Sequence, residues 1–306
     1  MTGGDDGDPL RKLEQSGHVE CLLEALGKDL PDSVHVFNRI STHLRWRRQG
    51  LGGDVQVDFY RGADEGDATS GPTTAVSIMR VEGMAPRVAV HTTDPSCDAL
   101  HRVLAASKHI PWSEPFLFES VHERCTPAVL AEARARGQVA PLVCPTDKML
   151  LPKDEGLRLQ VGDPGPGLRL RALEPHHAKA VNDKWSYANP GSERMLAKTI
   201  ERNSGLSWGV FTEDDPEGDP VSFILGGAWT GGLTVLFTTE PFRRRGLAEL
   251  VTRAACRALA ARHGLDAHCN VDVPNAASRA TLAKVGFRRI CECSFIDWNP
   301  VNERVH

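Results

Sequence analysis

Apolar residues in the C-terminal half of the chain change period repeatedly, and each change marks an element. The two-residue period of LRLRAL predicts a short strand, while EPHHAKAVNDKW and SERMLAKTIERN, the second opened by Ser192, predict helices. LSWGVFT and PVSFILGGAW alternate on either side of the polar EDDPEGD and predict a hairpin; LTVLFTT predicts the next strand. In RRGLAELVTRAACRALAARHG the apolar positions fall at Leu247, Leu250, Val251, Ala254, Ala258 and Leu259. That is the i, i+3, i+4, i+7 stripe of a helix lying on a sheet, with Glu249, Arg253 and Arg257 turned away. DAHCNVDV then reads as a strand, NAASRATLAKVGF as a helix and RRICECSFIDW as the closing strand. The order β-α-α-β-β-β-α-β-α-β predicts an α/β plan around one mixed sheet.

The N-terminal half reads as a second mixed α/β unit. Leu13, Val19, Leu22, Leu23 and Leu26 predict a helix within residues 10–30, stopped by Gly27. VHVFNRI and VQVDFYRG alternate and predict strands, as do AVSIMRV and RVAVHTT, with a polar loop over residues 64–74 between the two pairs. CDALHRVLAASKHI predicts a helix entered through Asp94, Pro95 and Ser96, and TPAVLAEARARG one running from Thr126 to a stop at Gly137. The Pro/Gly cluster at residues 162–167 puts the domain boundary near 152–167, giving domains of 1–155 and 165–306. No internal repeat or low-complexity tract is evident in the sequence.

Composition narrows the function without naming it. A chain of 306 residues exceeds one average domain, and 41% hydrophobic residues supply a core for each half. The formal net charge of −4 gives no general attraction to nucleic acid or to an anionic membrane, so any anion site must be local. Eight cysteines include no C-x-x-C, and ligands at zinc spacing are missing, so no metal is expected. The opening MTGGDDGDPL is acidic and resembles neither a secretory signal nor an Arg-rich presequence. The longest apolar stretch, around residues 221–229, is too short and Gly-broken to span a bilayer. A soluble protein of the cytoplasm is expected, with the mitochondrion as the alternative.

The candidate chemistry begins at LTVLFTTEPFRRRGLAELVTRAA. A strand ends near Thr239, three arginines follow, and Gly246 opens the long helix. A helix start offers unsatisfied N–H donors and the positive end of the dipole, which together attract phosphate. Gly246 lets an anion approach the backbone unhindered, and the arginines add charge beside it. A solvated basic turn is the alternative reading of the same run.

The motif R-x-x-G-x-A, Arg243 through Ala248, is similar to the coenzyme A pyrophosphate loop of the GNAT acyltransferase superfamily. NAASRATLAKVGF resembles that superfamily's final helix through Asn275, Ser278, Lys284 and the Gly286-Phe287 ending. More narrowly, the chain resembles the glycine N-acyltransferase-like proteins. LEALGKDLPDSVHVFNRI is similar to that family's opening, and AKAVNDKWSYANPGSERMLAKTIE resembles its V-N-x-x-W region through Val181, Asn182 and Trp185. NVDVPN resembles its H-V-D-x-x-N, with Asn270 where the family has histidine, and Trp298 and Pro300 match its ending loosely.

The resemblance implies two GNAT-like α/β domains, the C-terminal one a mixed central sheet flanked by helices with an acyl-CoA cleft. It implies that the co-substrate is acyl-CoA and that the acyl group passes to glycine or a related small amine or amino acid, by direct attack in a ternary complex; a monomer is expected. A protein N-acetyltransferase, or a non-catalytic acyl-CoA-binding protein on the same fold, is the alternative. By the same resemblance, backbone groups of Leu236, Phe237 and Thr238 pair with the pantetheine amides. Arg243, Arg244, Arg245, Gly246, Leu247 and Ala248 hold the pyrophosphate, and Asn275 and Ser278 line the other wall; Asn275 also suits a helix cap.

A neutral attacking amine requires a base. Period-two counting puts Thr234, Leu236, Thr238 and Glu240 on one strand face, which nominates Glu240. The family's P-E-Y-R reads Glu240-Pro241-Phe242-Arg243 here, an exchange that moves the acid by one residue. DAHCNVDV sets Asp266, His268, Asn270 and Asp272 on one face, which nominates His268 as the rival. The tyrosine that many GNAT members use to protonate the thiolate is Leu282 here. For an acceptor carboxylate the candidates are Asn182, Lys184, Arg194 and Lys198.

Overall fold

The structure is a computed structural model, and it describes residues 7–51, 55–63, 71–138, 140–227, 229 and 231–300. Residues 64–70 of the expected polar loop and the first six residues of the acidic N-terminus lie outside the described residues. The chain divides into two compact units, Met1–Asp147 with Cys291–His306, and Lys148–Ile290.

The first unit contains β1 (Leu10–Lys12), α1 (Ser16–Gly27), α2 (Val34–Arg48), β2 (Val55–Gly62), β3 (Thr74–Val81), β4 (Arg87–Thr92), α3 (Asp98–Ala106), β5 (Phe116–His122), α4 (Thr126–Ala135) and the start of β6 (Val143–Leu151). Strands β1 to β4 form an antiparallel meander, β5 joins β4 in parallel at Arg87↔Leu117, and the chain's last strand pairs with β5 at Trp298↔Phe116. Alternation sends Val76, Ile78, Val88, Val90 and Phe118 into one core with Leu100, Leu104 and Val129 of the helices. Trp112 packs edge-on against Trp298, whose indole N–H donates to the Trp112 carbonyl at 3.0 Å. The interior of this unit also holds an ionic group. Arg39, fully buried on α2, pairs with the equally buried Glu119, which also holds Arg87 at 2.5 Å.

Three sequence expectations change here. VHVFNRI is helix α2 rather than a strand, because Val36, Ile40 and Leu44 form an i, i+4, i+8 stripe that outlasts the short alternation. The helix expected over residues 10–30 begins only at Ser16, after the short β1. Strands β5 and β6 were not expected, since the apolar run of β6 is broken by Pro145, Asp147 and Lys148.

The second unit holds the end of β6, α5 (Lys153–Arg158), β7 (Leu168–Ala172), α6 (Ala178–Asp183), α7 (Ser192–Arg202), β8 (Trp208–Thr212), β9 (Ser222–Leu225), β10 (Thr234–Thr238), α8 (Leu247–His263), β11 (Ala267–Asp272), α9 (Ala276–Val285) and the start of β12 (Arg288–Trp298). Strands β7 to β10 form one antiparallel sheet in sequence order, and β11 lies beside β6 instead. Helix α8 buries the expected stripe of Leu247, Leu250, Val251, Ala254 and Leu259. Each large apolar side chain so buried contributes roughly 1.5–3 kcal/mol. Gly264, left-handed at φ 62°, ends this helix.

The chain runs twice through one order of elements. β1-α1-α2-β2-β3-β4-α3-β5-α4-β6 is followed, after α5, by β7-α6-α7-β8-β9-β10-α8-β11-α9-β12. This duplication is a correction to the absence of repeats in the sequence: it is a repeat of topology without repeated residues.

Candidate functional site

The strands β10 and β11 are tied together at their starts and parted beyond. The Leu233 N–H donates to the His268 carbonyl at 2.8 Å, yet the two strands belong to different sheets. A bulge helps to part them. Thr234 pairs with Leu225 and Phe237 with Phe223, so β10 carries one extra residue, with Val235 in the left-handed region at φ 50°. The bulge also changes the face count: Thr234 and Phe237 share a face, while Leu236 and Thr238 keep the other. Into the opening run the side chains of a cleft of about 180 Å³, among them Lys184, Trp185, Tyr187, Asn270, Asp272 and Leu282.

Beyond the cleft the strand leads into the arginine turn. Residues Glu240–Phe242 form one 3₁₀ turn, Arg244 is left-handed at φ 61°, and Gly246 is left-handed at φ 77° immediately before α8. No side chain caps the start of α8, so its first amides face outward with the positive end of the helix behind them. A groove of about 520 Å³ lies over these amides. Leu236, Phe237, Thr238, Arg243, Arg244, Gly246, Leu247 and Ala248 form one side of it, and Ser278 stands on the other. Arg245 lines an adjoining hollow with Gly246, Arg253 and Gln160. Leu236 and Ser278 line both the groove and the cleft, so the two adjoin and together make a channel along these residues.

The arginines differ in their contacts. Arg243 folds back, its Nε donating to the Thr238 carbonyl at 3.1 Å and its guanidinium lying over the Phe237 ring. Arg245 lies over Phe242. On the opposite wall Asn275 caps α9, accepting the Ser278 N–H at 3.1 Å, while its side of the turn still lines the cleft. Ala277, Thr281 and Lys284 also line the groove and were not singled out as contacts. Their spacing with Ser278 along one face of α9 is the signal that could have found them. Lys284 reaches across to Glu249 at 3.1 Å, tying α9 to the first turn of α8.

The two nominated bases fall outside the channel. Glu240 opens the 3₁₀ turn, past the end of the strand, where it is exposed and lines neither groove nor cleft. It does not share the strand face on which the sequence count placed it. His268 lies at the root of the parted strands and is 1% exposed. A Cβ on Gly232 would come within 3.0 Å of its Nε2. Burial, with the positive charge of Lys148 nearby, pushes its imidazole down to about 3, so the ring is neutral and sealed. Asn270 and Asp272, from the same polar face, are the members that reach the cleft.

Of the residues expected to meet an acceptor carboxylate, Lys184 lines the cleft. Asn182 is occupied within its own unit, accepting the Ser192 hydroxyl at 2.5 Å. Cys269, the one thiol among the described cleft residues, is pushed up to about 12 by burial and stays protonated. Among the described residues no cluster of three His, Cys, Asp or Glu side chains could hold a metal, and no helix is long and apolar enough to cross a membrane.

Residues 224–296 match the family model described as FR47-like protein, a span that contains β10, α8, β11 and α9. No curated protein matches the chain by sequence. Among solved structures the chain is similar to a Drosophila protein at 22% identity and a TM-score of 0.82, with 96% of this chain and 99% of that one covered. It is also similar to a GCN5-related N-acetyltransferase from Sphaerobacter thermophilus, at 13% identity, TM-score 0.53 and 94% coverage of each chain. A tandem GNAT protein from the clavulanic acid biosynthesis pathway gives 14% identity and a TM-score of 0.53, over 94% of this chain and 97% of its own. The fold is thus two GNAT-like α/β units in one chain, as the duplicated order of elements shows independently. The narrower likeness to glycine N-acyltransferases rests on the sequence motifs alone.

Proposed function

We propose that the second unit binds an acyl-CoA and transfers its acyl group to the amine of a small amino acid such as glycine. One observation carries this reading: the uncapped start of α8 with its left-handed Gly246 opens a groove that adjoins, at Leu236 and Ser278, the cleft between β10 and β11. The groove suits an anionic, elongated ligand, and the gap suits its reactive end. Amides at Leu247 and Ala248 would hold the diphosphate, with Arg244 and Arg245 adding charge. The backbone of β10 from Leu236 to Thr238, an edge strand of its sheet, would pair with the amides of the pantetheine arm.

The site favours direct attack by the amine over a covalent enzyme intermediate. Cys269 is protonated and buried, so it offers no thiolate to accept the acyl group. Lys184 gives the cleft a cation for the acceptor's carboxylate, which supports an amino acid over a simple amine. The cleft's volume of about 180 Å³ suits a small acceptor.

The test is thiol release from acetyl-, benzoyl- and long-chain CoA thioesters with glycine as acceptor, run beside a titration of CoA binding. Turnover with glycine supports the reading. CoA binding with no thiol release across the panel would make the protein a binder on a transferase fold. Turnover only with peptide amines would move the acceptor to protein termini or lysines.

A further inference from the structure

We propose that Asp272, positioned by Tyr187, receives the proton that leaves the acceptor amine as the new C–N bond forms. This rests on the transferase reading of the channel and deepens it by assigning the base that neither Glu240 nor His268 can supply.

Asp272 is the last residue of β11, where that strand has diverged from β10, and it is the one carboxylate among the described residues lining the cleft. Its position is fixed from both sides. The Asp272 carbonyl accepts the Asn275 N–H at 2.8 Å and Nη1 of Arg279 at 3.2 Å, which locks the turn into α9. The Tyr187 hydroxyl, from the loop after α6, donates to Oδ2 at 2.6 Å. That bond orients the carboxylate. Tyr187 is 53% exposed, so the pair sits where an amine arriving from solvent would meet it. The charged and titratable groups around Asp272 are Lys184 and Tyr187 from the loop, Arg279 from α9 and Cys269 on its own strand. Two are cations and two are neutral, so Asp272 is the acceptor of protons in this set.

The step balances without a further reactant. The amine enters in its neutral form and its lone pair attacks the thioester carbonyl carbon, while the carbonyl π pair moves onto oxygen. The adduct's N–H⁺ is far more acidic than a free ammonium, which makes a carboxylate a competent base, and its proton passes to Asp272. The oxygen pair then reforms the carbonyl and the C–S bond breaks. The departing thiolate is protonated from Asp272 through solvent, which returns the carboxylate and releases the amide and free thiol.

The experiment uses the full chain with benzoyl-CoA or acetyl-CoA and glycine, and compares D272N, D272E and Y187F with the unaltered protein. D272N is expected to lower kcat by about a hundredfold or more, the typical contribution of a positioned base, while CoA affinity stays within about twofold. D272E is expected to recover part of that loss. Y187F removes the donor that orients the carboxylate, so kcat should fall, by less than in D272N, while the KM for glycine and CoA affinity stay within about twofold. Turnover within about threefold of the unaltered protein in D272N, or an unchanged kcat in Y187F, would overturn the assignment. An unaltered protein that binds CoA and transfers nothing refutes the transferase reading as well; transfer that survives D272N refutes this inference alone.

Discussion

Replacing Gly246 separates a structural turn from a ligand site, because the structure assigns its two costs to different measurements. The residue is left-handed at φ 77°, a region that costs an L-residue roughly 1–2 kcal/mol. A Cβ added there meets no protein atom within 4 Å, so no clash adds to that figure. G246A should therefore lower the melting temperature of the ligand-free protein by only a few degrees. The vacant direction faces the groove and the hollow that Gly246 lines. A methyl group there would hold a phosphate away from the first amides of α8, and losing one hydrogen bond to a charged group costs about 1.5–3 kcal/mol. CoA affinity should fall by about tenfold to a hundredfold. G246N is the control, since asparagine tolerates the left-handed region better and yet carries a bulkier side chain. Scanning fluorimetry without ligand and calorimetric titration with CoA measure the two effects. If G246N is as stable as the unaltered protein and binds CoA within about twofold, the amides of α8 do not hold the diphosphate.

Three further outcomes follow from named groups. His268 ionises near 3 in the folded chain and near its ordinary value when unfolded, so between those limits the unfolded state binds the extra proton and stability is lost as pH falls; H268Q should flatten urea-melt stability between pH 7 and pH 5 by up to about 1.4 kcal/mol per unit, and leave the acidic limb of turnover in place. Glu119 is pushed up by burial but held lower by Arg39 and Arg87, so E119Q strands two cations and should cost about 3–5 kcal/mol in chemical denaturation, with CoA affinity of the folded protein unchanged. Calorimetry should find one CoA bound per chain; a second site of similar affinity would show that the first unit also retains a cradle.

The sequence was most legible where one helix face decides the structure. The stripe of α8 and the Gly246 entry are local, and both survive in the fold as read. The bulge in β10 was not legible, because it puts Val235, a β-branched residue, at φ 50° against its own preference. Only the surrounding strands impose it, and it takes Thr234 off the face of Leu236 and Thr238; Glu240 leaves that face because the strand ends at Thr238 and turns. VHVFNRI misled for the opposite reason: its alternation is real over seven residues, but the helical stripe through Leu44 is longer and buries more. The bond between Tyr187 and Asp272 joins residues 85 apart, so no local pattern could announce it. The polar face of DAHCNVDV was visible, yet which member reached the cleft depended on where the strands part. His268 lies at the root and Asp272 at the open end.

If the second unit holds a diphosphate as proposed, the duplicated order of elements lets the two helix starts be compared directly. In the first unit the strand, loop and helix corresponding to β10 and α8 are β4 and α3. There the Asp94 carboxylate accepts the Ala99 and Ser96 N–H groups at 3.2 and 3.0 Å, and the Ser96 hydroxyl accepts the Asp98 N–H. These bonds, the one from Ala99 foremost, hold the Asp94 carboxyl below its usual range. Arg124 donates to the carbonyls of Thr92 and Asp94 and ties the end of β4 to the turn after β5. A helix start attracts a negative charge in both units, but in the first the chain supplies its own. A tethered carboxylate competes without the entropic cost of association, which puts a free phosphate at a disadvantage there. In the second unit no side chain caps the equivalent helix start, a left-handed glycine stands at the cap position, and Arg243 and Arg244 line the groove. Helix geometry therefore creates the field in both halves, and on the proposed reading a few loop residues decide whether a ligand or a side chain meets it.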